Sequence, residues 1–163
     1  MSSSTDVVEL ILRDHRRMEE LFRTMRDVES DRAGALREFA GLLIAHAEAE
    51  ERKVYPALRR YKKVDDDEVE HGVEEHEEGN EALLALLEVA EVGSAEWDEK
   101  LEALVTAVSH HLDEEERTLL NDARLHVADD RRAQLGEAFA MVRAERLAAD
   151  CGSVENVRAL VSS

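Results

Sequence analysis

The sequence predicts an all-α protein: an antiparallel, up-and-down four-helix bundle with one or two extra helices at the C-terminal end. Alanine, leucine, glutamate and arginine are abundant, whereas proline occurs once and glycine seven times, a composition that favours helices. Apolar residues recur three and four positions apart through four long segments, which is the period of an amphipathic helix. Short connections separate these segments, and helices joined in this way pack antiparallel.

The first helix is expected to begin after a capping residue, Thr5 or Asp6, and to run to about Val28. A capping side chain accepts a hydrogen bond from one of the first backbone N–H groups, which have no partner within the helix. The apolar positions of this helix, with which His15 is in phase, are Val8, Ile11, Met18, Phe22 and Met25.

The second helix is expected to begin at Ser30 or Asp31. Pro56 has no backbone N–H to donate, so it should kink this helix or end it near Arg59. Polar side chains continue the apolar phase in its second half, where the in-phase positions run Leu36, Phe39, Leu43, His46, Glu50 and Val54.

Two further helices complete the predicted bundle. The acidic run at 65–67 suits the positive N-terminal end of the third helix, which should stop before Gly93. Ser94 is expected to cap the fourth. The in-phase positions are Val69, Val73, His76, Leu83 and Leu87 in the third helix, and Trp97, Leu101, Leu104, Val108, His111, Glu115 and Leu119 in the fourth.

The sequence predicts further helices in the C-terminal part of the chain, and these contain no obvious catalytic or metal-binding residues. A fifth helix is expected from about Asp129 to Ala148 and a short sixth over 153–160, with His126 in the loop before them. We expect residues 1–127 to form the bundle and 128–163 to form an extension packed on it, not an independent domain. This extension would cover the bundle or join a second subunit in a homodimer.

Two segments of the chain repeat the pattern H-x-x-x-E-E. One begins at His46 and the other at His111, and in each a glutamate follows the histidine by four positions. Residues four apart lie on one face of a helix, about one turn from each other. With the lone histidine that precedes each segment, they predict a metal site formed from four helices: His15, His46, Glu50, His76, His111 and Glu115.

The alternative is a layer of buried His–Glu hydrogen bonds, or a register that leaves Glu50 and Glu115 in solvent. A single histidine on an apolar face is usually an ordinary core residue. Burying an unpaired carboxylate is costly, however, and glutamate is rarely buried without a partner. Two glutamates in core phase, each one turn after a histidine, therefore favour the metal site.

The types of ligand restrict the metal. The single cysteine, Cys151, excludes a thiolate zinc site, and four imidazoles disfavour calcium and magnesium. Four histidines and two glutamates exceed what one ion needs when a position stays open for chemistry. Two non-haem irons bridged by carboxylates and an oxo or hydroxo group use this set well, with manganese as the alternative.

At these residues the chain resembles the hemerythrin-like family, also called the HHE cation-binding domain. The resemblance covers about residues 6–125 and rests on Asp14-His15, His46…Glu50, Glu75-His76 and His111…Glu115. It implies a four-helix bundle with a non-haem di-iron centre. By position, Glu50 and Glu115 would be bridging carboxylates, and His15, His46, His76 and His111 would be terminal ligands.

The chain departs from the oxygen-carrying members of that family. They have a second histidine one turn before the ligand of the third helix, where this chain has Gly72, and His71 is rotated about 100° around the helix. Their last ligand is typically an aspartate five residues after the histidine, where this chain offers Glu115 at four or Glu116 at five. A more open and more anionic site follows, which disfavours reversible oxygen carriage.

Several polar residues flank the predicted ligands. His71, His110 and His126 are out of phase with the apolar stripes and are interpreted as surface residues. Tyr55, Glu51 and Glu116 are candidates to orient the ligands through hydrogen bonds. The alternatives are solvent exposure for the two glutamates and simple packing against a neighbouring helix for the tyrosine.

Three functions are compatible with such a site. The first is catalase-like decomposition of hydrogen peroxide, which the resemblance allows because some bacterial hemerythrin-like proteins are associated with peroxide breakdown. The second is binding without turnover, to carry, store or sense oxygen, nitric oxide or iron. The third is a structural or regulatory bundle with adventitious metal. The open position expected from Gly72 favours the peroxide chemistry.

The net charge of the chain restricts which classes of partner it can bind. Lysine and arginine number 21 against 39 acidic residues, a formal net charge of −18, which argues against nucleic acid and anionic membranes. The partners expected are small molecules: hydrogen peroxide, oxygen or nitric oxide. The N-terminal segment lacks a basic region followed by an apolar run, so we expect a cytoplasmic protein.

Overall fold

The computed structural model describes residues 5–163, which are almost entirely helical and contain no β-strand. The all-α prediction is confirmed. Two antiparallel pairs, α1 with α2 and α4 with α5, pack side by side as a helical bundle. The elements are α1 (Val7–Arg26), α2 (Arg32–Ala49), a π-helical segment (Glu50–Val54), α3 (Tyr55–Leu58), α4 (Asp66–Leu87), α5 (Ala95–Arg117), α6 (Leu119–His126), α7 (Asp129–Ala148) and α8 (Val154–Ser162).

Three of the long helices begin at capping residues that the sequence analysis predicted. The side chains of Asp6, Asp31 and Ser94 each accept a hydrogen bond of 2.9–3.1 Å from a backbone N–H in the first turn. Where the sequence offered two candidates, at the first and second helices, the aspartate is the cap in both. The first helix ends at Arg26, slightly earlier than expected, and Val28 is exposed.

The second helix changes from α-helical to π-helical geometry before it ends. After α2, residues Glu50–Val54 are π-helical, and the N–H of Tyr55 donates to the carbonyl of Glu50, five residues earlier. Pro56 follows in the first turn of α3 and has no N–H to donate to a preceding carbonyl. The π-turn accommodates this missing donor, so the helix continues to Leu58 and ends where the sequence predicted.

The fourth bundle helix breaks at Thr118, where φ is −108° and ψ is −84°. The Thr118 hydroxyl donates to the carbonyl of Glu114 at 2.8 Å, a side-chain bond that competes with the backbone bonds of the helix. A separate helix, α6, then begins at Leu119 and ends at His126. The expectation that His126 lies in a loop was therefore wrong.

Two apolar clusters fill the interior. One, near the turns that join α1 to α2 and α4 to α5, includes Phe39 and Trp97; the other, near the opposite end, includes Ile11 and Phe139. Between them lies a layer of buried polar side chains. That layer contains the predicted metal site.

The C-terminal helices lie on the bundle. The α7 helix packs against α1 and α2, and α8 packs against α4. Cys151, between them, is buried among the residues of the first apolar cluster. The division into 1–127 and 128–163 stays a prediction. No helix within residues 5–163 has both the length and the apolar character required to span a bilayer.

Candidate metal centre

The structure brings the six predicted ligands into one layer, although each comes from a different turn of α1, α2, α4, α5 or the π-helical segment. In-phase positions on the helices turn their side chains toward the bundle axis, where the helices face one another. All six are at least 94% buried: His15, His46, Glu50, His76, His111 and Glu115.

Glu50 lies between histidines of the two helix pairs. Its Oε1 is 3.2 Å from Nε2 of His46, one turn earlier in the same chain segment, and 3.1 Å from Nε2 of His76 on α4. One carboxylate oxygen therefore faces a nitrogen from each half of the bundle.

Glu115 repeats this arrangement with the other two histidines. Its Oε1 lies 3.2 Å from Nε2 of His15 on α1, and its Oε2 lies 3.6 Å from Nε2 of His111 on its own helix. The two glutamates thus connect the halves of the bundle in the same way. The internal repeat of the sequence becomes an approximate twofold symmetry of the site.

The outward-facing ring nitrogens lie near carboxylates. A carboxylate that accepts from Nδ1–H holds the proton there, so the lone pair of Nε2 points inward toward a metal position. Three of these contacts are hydrogen bonds and the fourth is a longer ion-pair contact: His46 to Asp14 at 2.7 Å, His15 to Glu116 at 2.9 Å, His111 to Glu75 at 3.0 Å and His76 to Glu51 at 3.5 Å.

Without metal, the buried carboxylates hold protons on the histidines. Burial acts to lower the pKa of His46, but the Glu50 and Asp14 carboxylates outweigh it and raise that pKa to about 10. Burial also acts to lower the pKa of His76, but the carboxylates of Glu50 and Glu51 outweigh it and raise that pKa to about 9. Metal ions would take the place of these protons, so metal binding should release them.

Several inward-facing atoms of the layer lack a hydrogen bond, which is rare for buried polar groups. The neighbouring carboxylate and imidazole atoms are close but not aligned for hydrogen bonding. Two sets of donor atoms, His15 with His46 and Glu115, and His76 with His111 and both glutamates, are each compact enough to hold an ion. The atoms without partners are Nε2 of His15, His46 and His111, Oε2 of Glu50 and Oε1 of Glu115.

Tyr55 also belongs to the layer. Its hydroxyl donates to Oε2 of Glu115 at 2.5 Å and lies 3.5 Å from both Oε1 of Glu50 and Nε2 of His76. Its ring stacks on the His76 imidazole at 5.6 Å between centroids. Burial, and then the negative charges of Glu115 and Glu50, raise the pKa of Tyr55 well above its usual range, so the phenol keeps its proton.

Gly72 makes room for this tyrosine. A Cβ atom at position 72 would lie 2.8 Å from the Tyr55 hydroxyl oxygen, too close for any real contact. Oxygen-carrying members of the resembling family have a histidine where this chain has Gly72, and here the Tyr55 phenol occupies the space beside that position.

The π-turn explains why periodicity alone did not place Tyr55 in the layer. In a regular α-helix, five residues advance about 500°, which would turn Tyr55 about 140° away from the face of Glu50. The i to i+5 hydrogen bond brings the two residues back onto one face. Pro56, directly after Tyr55, is the only signal of this distortion in the sequence.

The remaining polar residues divide into three groups. His71 and His126 are exposed, as expected. Glu51 and Glu116 face ligand imidazoles and so fit the interpretation as orienting residues. Asp14 and its partner Arg143 carry a role that the sequence analysis missed, since 129 positions separate them: the guanidinium donates two 2.9 Å hydrogen bonds to the carboxylate that accepts from His46.

Comparison with known proteins agrees with this geometry. The chain matches the family model of the hemerythrin HHE cation binding domain over residues 6–123, well over half of its length. Neither the search of curated proteins nor that of solved structures returned a match. The matched region contains all six predicted ligands and the orienting carboxylates, and the chain belongs to the hemerythrin HHE cation-binding domain family.

Proposed function

We propose that the protein holds two non-haem iron ions and decomposes hydrogen peroxide at them in the manner of a catalase. The observation that carries this proposal is the buried layer itself: four inward-facing imidazoles, two carboxylates between the halves, and a protonated phenol at one of them. Membership of a cation-binding family supports metal binding. The identity and number of the ions, and the reaction with peroxide, are our proposal.

The donor set suits iron. His15 and His46 would hold one ion, His76 and His111 the other, and Glu50 and Glu115 would connect them. Imidazole with carboxylate favours iron, and next manganese, over calcium or magnesium. Bound iron would supply the redox cycling that peroxide decomposition needs.

Residues of the layer would transfer the protons that the reaction moves between peroxide molecules. Two molecules of hydrogen peroxide yield two of water and one of oxygen, so the overall reaction needs no external reductant, but protons must move from one peroxide to the other. The Tyr55 hydroxyl donates a hydrogen bond to Oε2 of Glu115 at 2.5 Å, and its ring stacks on His76, which in turn contacts His111. This pair can accept a proton at the carboxylate and return one from the phenol.

Access to the layer is narrow. A cavity of about 20 Å³ is lined by Gly72, His111 and Glu115, among others. This volume accommodates about one water-sized molecule. Hydrogen peroxide fits this restriction, whereas larger organic substrates would not reach the ligands without movement of the helices.

The same cavity supports a second candidate function, the binding of oxygen, nitric oxide or iron without turnover. A diatomic gas fits the volume as well as peroxide does. The phenol distinguishes the two functions in our view, because reversible gas binding has no need of a proton donor that is already bonded to a ligand carboxylate.

Oxygen evolution after addition of hydrogen peroxide to iron-loaded protein tests the proposal. We expect sustained evolution from the unmodified chain, none from Glu50→Ala, and normal evolution from Glu77→Ala, which removes an exposed glutamate beside His76. If protein that verifiably holds two irons evolves no oxygen, the enzymatic proposal is wrong and the binding function takes its place.

A further inference from the structure

A second group of metal-binding side chains lies outside the buried layer, where α4 and α5 face solvent. Nε2 of His110 is 3.2 Å from Oε2 of Glu75 and 3.1 Å from Oε2 of Glu114. One donor atom from each of the three residues lies within 4.8 Å of the other two. We infer that these residues form an outer site for a divalent transition-metal ion, from which the buried centre is loaded.

The outer site is built on the same spacing as the inner one. His110 and Glu114 are four positions apart on α5, as are His111 and Glu115, so two such pairs interleave on one helix. Adjacent residues differ by about 100° around a helix, so the second pair faces the interior while the first faces the edge of α4. This accounts for the histidine doublet in the sequence.

Glu75 physically connects the two sites. Its Oε1 accepts from Nδ1 of His111, an inner ligand, at 3.0 Å, and its Oε2 faces His110. One carboxylate thus orients an inner ligand and completes the outer group. Glu75 and the imidazole of His111 therefore lie between the outer group and the inner ligands.

A small cavity lies beside this connection. The cavity of about 20 Å³ is lined by Glu75 and Glu114 from the outer site and by His111 and Glu115 from the inner one. Nε2 of His111 and Oε1 of Glu115 are buried and have no hydrogen-bond partner. Residues that carry donor atoms of both sites therefore meet at this cavity, so an ion that sheds its water there could exchange it for carboxylate oxygens.

The chemistry and exposure of the outer site suit transfer better than retention. One imidazole with two carboxylates favours iron(II), manganese, cobalt or zinc over calcium and magnesium. The His110 side chain is 66% exposed, so water would complete the coordination and exchange readily. This inference rests on the proposed function only in that the inner centre must be able to receive metal.

Zinc titration by calorimetry tests the outer site separately from the inner one. We expect iron-loaded protein to bind about one further zinc ion per chain, and His110→Ala to bind none. His126→Ala, which removes another exposed histidine, is the matched control and should bind zinc normally. Absence of the additional zinc ion from the unmodified chain, or its persistence in His110→Ala, would overturn the site.

Glu50→Ala separates a failure here from a failure of the proposed function. This variant removes a carboxylate of the inner centre but leaves Glu75, His110 and Glu114 in place, so adding His110→Ala to it should lower the number of bound zinc ions by one. If the inner centre proves not to hold iron at all, this titration remains a valid test of the outer site.

Loading is tested by the rate at which metal-free protein takes up iron(II), measured by quenching with a chromogenic chelator. His110→Ala should slow uptake several-fold and leave the final iron content unchanged, and His126→Ala should do neither. Equal uptake rates in the unmodified chain and in His110→Ala would overturn the loading role. A reduced final iron content would instead assign His110 to the stability of the inner centre and would also overturn it.

Discussion

The two halves of the buried layer have the same histidine–glutamate pairs but different surroundings. In the half formed by His15 and His46, arginines neutralise the outer carboxylates: Arg143 pairs with Asp14, and Arg16 pairs with Glu116. In the half formed by His76 and His111, the exposed imidazole of His110 takes the place of an arginine beside Glu75. Glu51, the other outer carboxylate of this half, contacts the ring of His76 that it orients. Tyr55 and the narrow cavity lie in this second half.

This difference teaches how a duplicated ligand pattern can serve two purposes. A carboxylate that is paired with arginine is held in one position, so the imidazole that it orients is held as well, and the first half should bind metal at a more rigid position. The second half has more negative charge around its ligands, a protonated phenol and an opening. We expect the reaction with small molecules to take place there.

The largest effect should come from the residues that belong to both halves. Glu115→Ala removes the carboxylate between His15 and His111 and takes a donor from both sets, so bound iron should fall from about two ions per chain to nearly none. His15→Ala, which touches only the first half, should leave about one. Elemental analysis of purified protein measures both, and equal losses in the two variants would contradict a shared role for Glu115.

Alkaline pH should destabilise the metal-free protein by a few kcal/mol and should act on the halves in sequence. The pKa values of His76, about 9, and His46, about 10, are raised above the value near 6.5 of the unfolded chain. The stability that they contribute is therefore fully present below about pH 6.5 and is lost as the pH rises through 9 and 10.

Urea unfolding of metal-free and iron-loaded protein between pH 7 and 10.5 measures this loss. Only the metal-free form should weaken in this range, because iron takes the place of the ring protons. Histidine NMR signals should show His76 in the second half deprotonating before His46 in the first. Equal pH dependence with and without iron would contradict the assignment of these protons to the layer.

Arg143→Ala should weaken the first half alone. Asp14 would stay buried beside His46 with its charge no longer balanced, which costs about 1–3 kcal/mol after discounting for the partial exposure of the arginine. Arg158→Ala, which breaks an exposed ion pair with Glu88, is the control and should cost less than about 1 kcal/mol. Urea unfolding compares the two variants, and equal losses would show that α7 does not support the layer.

Gly72→Ala should perturb only the second half, by about 1 kcal/mol or slightly more, because the added methyl group displaces the Tyr55 hydroxyl. In a Tyr55→Phe background the same change should cost less, because the 2.8 Å contact with the hydroxyl is gone and only the contacts of 3.1 and 3.3 Å with ring carbons remain. A double-mutant cycle in thermal unfolding measures the coupling. Additive effects would mean that the two residues do not meet.

Much of the fold and the six-residue set could be predicted because the signals are local. Apolar phase, capping residues and the spacing of His46 and Glu50 depend on the geometry of one helix, which is the same wherever that helix packs. The same periodicity failed at His126, because the break at Thr118 started a new helix that no apolar pattern announced.

The sequence by itself therefore determined the all-helical bundle, the two repeated His–Glu pairs and the family to which the chain belongs. Tertiary structure alone decided that Tyr55 enters the layer, that Arg143 neutralises Asp14, and that the two halves differ. The physical reason is one of range. Helical phase repeats every few residues, whereas a widened turn shifts that phase, and contacts between distant segments depend on how complete helices dock.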